Sequence, residues 1–223
     1  ELESLTYSLS TDLLTPILAI QKTANTLIKK NAKDLSEKDL RSLKEIQARA
    51  DLVSQQINNL LRISQLSQQE LNIEEIDPAK VVKKVFKSYA KEVKEYQISK
   101  VIKDLPACCA DRDLLELVFD NLISNAIKYT AGQDSPKIQI GYQPDQNPER
   151  VIYYVQDNGI GFDPEAKDLV FSKFQTLNNQ ENQQASGIGL TLAKLIVNKH
   201  NGSIWAESEE GKGATFYFDL ATP

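Results

Sequence analysis

Along the first seventy residues, apolar side chains return every three or four positions. Leu9, Leu13, Ile17, Ile20, Ala24 and Leu27 mark one stripe of a helix. Pro16 is expected to interrupt and kink it, because its ring removes a hydrogen bond and crowds the preceding turn. The stripe breaks over 31–35. Ser36, followed by Glu37, Lys38 and Asp39, then reads as an N-cap with acid in the first turn. A second stripe runs through Leu40, Leu43, Ile46, Ala50, Val53, Ile57 and Leu60 towards Leu66, close to a heptad seam. Two long helices joined by a short turn predict an antiparallel helical hairpin. Two seams leave an apolar face uncovered, so a four-helix bundle in a homodimer is expected; the alternative is a hairpin packed on the rest of its own chain.

From Leu71 the texture changes. LNIEEI (71–76), ISKVI (98–102), KIQIGY (137–142), VIYYVQD (151–157), SIWAES (203–208) and ATFYFDL (214–220) read as strands. Helical patterns over 78–96, 111–129 and 190–200 lie between them. Strands mixed with helices and closed by an antiparallel pair predict a layered α/β sandwich, so the chain is expected to be α+β with two domains, 1–70 and 71–223. NNQENQQAS (178–186) is polar and helix-poor, and reads as a mobile loop.

Composition narrows the function classes. Apolar residues at 41% and charged residues at 26% are those of an ordinary soluble globular chain. A net charge of -5 without a basic stripe argues against a nucleic-acid partner. No apolar run approaches about 18 residues, so no membrane span and no membrane contact is expected. The chain has no Met and begins at Glu1, which reads as a fragment of a longer protein. Cys108 and Cys109 are adjacent, too few for a metal site and too close for a disulfide framework. They are expected to be buried, reduced thiols of a cytoplasmic domain.

Four clusters in the second half carry chemistry. In DNLISNAIKYT (120–130), Asn121 and Asn125 are four apart on one helix face, and Lys128 follows on nearly that face. Two neutral oxygens and a cation suit a hard metal that bridges phosphates, although a solvated helix face has the same pattern. In QDNGIGFD (156–163), Asp157 ends a strand as a carboxylate. Gly159 and Gly161 there let backbone approach a flat ligand, and equally suit a tight turn. FSKF (171–174) alone is core. In SGIGLTLAKLIVNKH (186–200), Gly187 and Gly189 precede a helix whose N-terminal amides can receive phosphate. His200, the chain's only histidine, is expected to have a structural or surface role.

In this order and spacing the clusters resemble the ATP-binding domain of sensor histidine kinases, a family that shares its Bergerat fold with DNA gyrase, the Hsp90 chaperone and the MutL repair protein. Residues 1–70 resemble that family's dimerisation and phosphotransfer hairpin. The resemblance implies ATP and Mg2+ as ligands. Asn121 and Asn125 would hold the metal, Lys128 would contact phosphate and Tyr129 would flank the adenine. Asp157 would accept from the exocyclic amine, with Gly159 and Gly161 forming the adenine turn. Phe171 and Phe174 would anchor a lid hinged at Gly187 and Gly189, with Leu190 beside the nucleotide. Thr215 would join the water network around the base.

The phosphoacceptor segment departs from the family. Where the family has Ser-His-acid-Leu-Arg-Thr-Pro, this chain has Ser10-Thr11-Asp12-Leu13-Leu14-Thr15-Pro16. A threonine hydroxyl is a poor nucleophile without an activating base, so autophosphorylation at Thr11 is not expected. Asp12 and Thr15, three apart on a helix, match the acid and threonine that the family associates with dephosphorylating a partner response regulator. The resemblance therefore implies a two-component transmitter that meets a receiver domain. The alternative is a non-catalytic, ATP-sensing pseudokinase scaffold that dimerises and docks a partner.

Overall fold

The computed structural model describes residues 2–31, 35–144, 147–171 and 189–223. The chain divides into two compact units, one ending at Gln69 and the other beginning at Glu70.

The first unit is two long helices, α1 (Leu2–Asn31) and α2 (Glu37–Gln68), packed against each other. Helix α1 is continuous through Pro16. Ser36 caps α2 as its sequence implies, its side chain accepting from the Asp39 amide at 3.1 Å. The seam between the helices follows a heptad on each, but not the one the apolar residues suggest. Leu14, Ile17, Gln21, Ala24 and Ile28 on α1 turn away from solvent, as do Leu40, Leu43, Gln47, Ala50, Ser54 and Ile57 on α2. Gln21 donates to the Asp51 carboxylate across the pair. Leu13, Ile20, Leu27 and Ile46 are left exposed, Leu13 by 56%. The expected stripes thus mix two faces, because polar residues occupy three positions of the buried seam.

The second unit is two-layered. A mixed five-stranded sheet has the order β2-β4-β5-β7-β6, built from β2 (Ser99–Ile102), β4 (Lys137–Pro144), β5 (Arg150–Asp157), β6 (Ile204–Glu209) and β7 (Gly213–Ala221). Only the β2–β4 pair is parallel. The sheet's inner face presents Ile138, Ile140, Val151, Tyr153, Val155, Phe216 and Phe218, all buried. Against it lie α5 (Arg112–Thr130) and α6 (Gly189–Lys199), with α3 (Pro78–Ser88) packed on α5. Phe119 of α5 meets Tyr153 and Phe218 edge-on, with ring centroids 6.3 and 5.3 Å apart.

Two local features depart from the sequence expectation. The helical pattern over 78–96 is two helices, α3 and α4 (Ala90–Glu95), divided at Tyr89. A further strand, β3 (Cys108–Asp111), pairs antiparallel with β1 (Ile73–Ile76). Its four residues are too few for alternation to register. In it Cys108 is buried, and burial pushes its thiol up to about 11, whereas Cys109 is half-buried.

Candidate nucleotide site

Helix α5 starts at a strong cap. Asp111 Oδ1 accepts from the Asp113 and Leu114 amides at 3.1 and 3.2 Å. One face of the helix then buries Leu115, Val118, Phe119, Leu122, Ile123, Ala126 and Ile127. That burial turns Asn121, Asn125 and Lys128 to the half-exposed face. Asn121 donates to the Leu117 carbonyl at 2.7 Å, which fixes the direction of its Oδ1. The Asn125 side chain makes no hydrogen bond among the described residues, and its oxygen is open to a ligand. Lys128 lies over the Tyr129 ring, 5.2 Å from its centroid, and burial lowers its pKa.

Strand β5 delivers Asp157 to the same end of the helix layer. Alternation on β5 turns Val151, Tyr153, Val155 and Asp157 inward, so the carboxylate is carried into the interior by the core pattern itself. Asp157 is 6% exposed. Its Oδ1 accepts from the Gly159 amide at 2.9 Å and from the Ala214 amide at 3.3 Å. Burial nevertheless dominates and pushes its carboxyl up to about 6. Both hydrogen bonds go to Oδ1, which leaves Oδ2 as an acceptor for a ligand. Tyr129 stands close enough for the Asp157 charge, after burial, to raise its phenol.

The segment after Asp157 is pressed between the end of α5 and the β6–β7 turn. A Cβ on Gly159 would stand 2.5 Å from the Tyr129 carbonyl oxygen, and one on Gly161 2.1 Å from that of Glu209. Gly161 also adopts φ +63°. The segment is held by Ile160 N–H to the Tyr129 carbonyl (3.3 Å), Gly211 N–H to the Ile160 carbonyl (2.7 Å) and Phe162 N–H to Ser208 Oγ (2.8 Å). Asn158 ties it to the start of β4, accepting from the Lys137 amide at 2.7 Å.

Helix α6 completes the described site. Its first residue, Gly189, abuts Asn121: a Cβ there would stand 2.6 Å from Asn121 Oδ1. Leu190 follows, half-buried. Phe171 is buried on Phe216, edge to face at 6.2 Å, and its carbonyl accepts from Thr191 Oγ1 at 3.2 Å.

The structure therefore lines Asn121, Asn125, Lys128 and Tyr129 along α5, with Gly189 against Asn121 and with Asp157, Gly159 and the segment to Gly161 at the Tyr129 end. It does not bring Thr215 there. Thr215 pairs with Gln156 on the opposite face of the sheet, and Ala214, one residue earlier, faces inward to Asp157. The period-two pleat decides between adjacent residues, and the expectation for Thr215 fell on the wrong one. Sequence reasoning also missed the Ala214 amide and Ser208, whose roles are set by strand pairing rather than by residue type. Phe174, Gly187 and the polar run 178–186 lie outside the described residues. In the first unit, Thr11, Asp12 and Thr15 lie on α1, Thr15 exposed. The side chains of Thr11 and Asp12 are likewise outside the description.

A two-layer sandwich with a buried strand-end carboxylate, a glycine turn and an asparagine-bearing helix defines a Bergerat-type nucleotide-binding domain. Residues 110–223 match the family of histidine kinase-, DNA gyrase B- and HSP90-like ATPases, and the chain belongs to it. It is similar to the phytochrome-like protein Cph1 of Synechocystis sp., 31% identical over 220 residues, which are 99% of this chain and 29% of that protein. The chain thus spans less than a third of that relative's length. Among solved structures it resembles full-length ShkA in complex with AMPPNP, with a TM-score of 0.72 and 22% identity, over 99% of this chain and 46% of that one. It also resembles the histidine kinase ThkA, crystallised with the response regulator protein TrrA. There the TM-score is 0.67 and the identity 21%, over 97% of this chain and 61% of that one. At these identities the two structures speak for the fold alone.

Proposed function

We propose that this chain is the transmitter part of a two-component signalling protein. In this reading it binds ATP with Mg2+ in its second unit, dimerises through α1 and α2, and presents α1 to a receiver domain. The observation that carries the nucleotide reading is Asp157, a buried carboxylate with one oxygen held by the Gly159 and Ala214 amides and the other left to accept. A buried acceptor of that kind demands a donor, and the exocyclic amine of adenine is one. Neutral amide oxygens on Asn121 and Asn125 fit a hard cation that takes the rest of its ligands from phosphates and water. Such a cation, when bound, would neutralise phosphate charge. Lys128 would bind phosphate as well, and the Gly159–Gly161 segment would lie against the base.

Dimerisation is supported by the apolar residues left exposed on the helical pair, Leu13, Ile20, Leu27 and Ile46. The receiver-facing role is supported by Asp12 and Thr15, which sit three apart on one helix. A carboxylate and a hydroxyl so placed can orient a water towards an aspartyl phosphate. Thr11 in place of a histidine removes the phosphoacceptor, so the proposed activity is regulator dephosphorylation rather than autophosphorylation. The same residue supports a second reading, a nucleotide-sensing scaffold that dimerises and docks without catalysis.

Incubation with a phosphorylated receiver domain separates the two. Faster loss of phosphate with the chain than without it, slowed by Thr15→Ala while ATP affinity is unchanged, supports the phosphatase. Equal phosphate lifetimes with every receiver tried leave the scaffold. Labelled ATP should give no acid-labile phosphate on the unmodified chain, and Thr11→His should restore only part, because Leu14 stands where the family has arginine.

A further inference from the structure

His200 lies just after α6 and is buried, 9% exposed. Its Nδ1 is 2.8 Å from the Ile196 carbonyl, and its Nε2 is 2.9 Å from the Asp111 backbone nitrogen. A carbonyl only accepts and an amide only donates, so the ring carries its hydrogen on Nδ1 and its lone pair on Nε2. Asp111 is the N-cap of α5. Its carboxylate is already committed, Oδ1 to the Asp113 and Leu114 amides and Oδ2 to the Asn72 amide at 3.1 Å. The Asp111 amide itself donates to the imidazole. The backbone at His200 is itself fixed, because Asn201 reverses the chain at φ +56° and Gly202 N–H returns to the Val197 carbonyl at 2.9 Å.

Helix α6 is thus held to α5 at two points. At one end His200 meets the cap of α5; at the other Gly189 meets Asn121 at a distance that leaves no room for a Cβ. Between them Leu192, Ala193, Ile196 and Val197 are buried.

We infer that His200 is a positioning residue for the nucleotide site: its two hydrogen bonds set the register of α6 along α5 and thereby fix where Gly189 meets Asn121. The inference rests on the nucleotide reading only for its consequence in ligand binding. Loss of the bridge lets α6 slide and shifts the Gly189 backbone that abuts the Asn121 oxygen, which weakens the metal-dependent part of nucleotide binding. A plain core histidine would contribute stability and nothing more.

The full chain carries the test, as His200→Leu, His200→Gln and, as a stability-matched core control on another helix, Val82→Ala in α3. Without nucleotide, His200→Leu should shift the Asn121 side-chain amide resonances. It should also speed hydrogen exchange at Ala193 and Lys194, whose amides bond back to the first turn of α6, by about tenfold. Val82→Ala should do neither at the same drop in melting temperature. His200→Gln, whose carbonyl can accept from Asp111, should stay near wild type. With ATP, His200→Leu should lower affinity in Mg2+ by about tenfold, the scale seen when a partner behind a metal ligand is lost, with little change in EDTA. If His200→Leu and Val82→Ala give the same Asn121 resonances and the same exchange at α6, the inference is overturned. If the wild-type chain binds no ATP, the nucleotide reading falls instead, and the resonance and exchange arms still decide the register.

Discussion

At the scale of single residues, Asp157 is the group on which nucleotide recognition would depend. Its carboxyl is raised from 3.8 to about 6 by burial, so the folded chain holds that proton more tightly than the unfolded chain does. Between those values the folded state binds more protons, and stability from this group falls as pH rises; above about 6 the buried charge is a constant cost. Asp157→Asn keeps an oxygen to accept from Gly159 and Ala214 while removing the charge. It should raise stability at pH 8 by roughly 1–3 kcal/mol and flatten the wild-type slope between pH 4 and 6 in urea titrations. The same substitution should weaken adenine nucleotides by about tenfold or more, because a charged acceptor becomes a neutral one. For the wild type, nucleotide affinity measured by calorimetry should fall as pH drops through about 6, since the protonated carboxyl presents a hydrogen where the amine needs a lone pair. The sequence made Asp157 legible because chemistry follows residue type at a strand end. Thr215 was misread because only the strand register tells it from Ala214, and register is a property of two strands at once.

At the scale of elements, α5 joins core to site. Its buried face holds Phe119 against Tyr153 and Phe218, and the opposite face carries the asparagines. Phe119→Ala should destabilise the second unit by about 3–5 kcal/mol in denaturant unfolding, the usual cost of emptying an aromatic core position. Gly189→Ala tests the α5–α6 contact from the other side. A methyl 2.6 Å from Asn121 Oδ1 must displace the end of that side chain. Little loss of stability is expected, because a side-chain end can shift, but nucleotide binding in Mg2+ should weaken. Most of these elements were visible in the alternation and periodicity of the chain. The break at Tyr89 was hidden because apolar spacing persists across it, and β3 because four residues beside a helix cap carry too little pattern. The buried seam of α1 and α2 was blurred because Gln21, Gln47 and Ser54 occupy heptad positions that a search for apolar residues passes over.

For the molecule as a whole, two kinds of surface remain to be accounted for, the exposed apolar residues of the helical pair and the candidate nucleotide site. If the first is a dimer face, Ile20→Lys combined with Ile46→Lys should shift the chain towards monomer in sedimentation equilibrium at tens of micromolar, with nucleotide affinity unchanged, because the substitutions lie in the other compact unit. The candidate site is where the central claim stands, that a chain with threonine at the acceptor position nevertheless has a working ATP site. Isothermal titration of the folded chain with ATP, with and without Mg2+, measures it directly. Saturable heat of one site per chain is expected, strengthened by Mg2+, with the strengthening lost in Asn125→Ala and the affinity reduced in Asp157→Asn. Absence of binding heat from folded wild-type chain at several temperatures, or binding that both substitutions leave untouched, would contradict it.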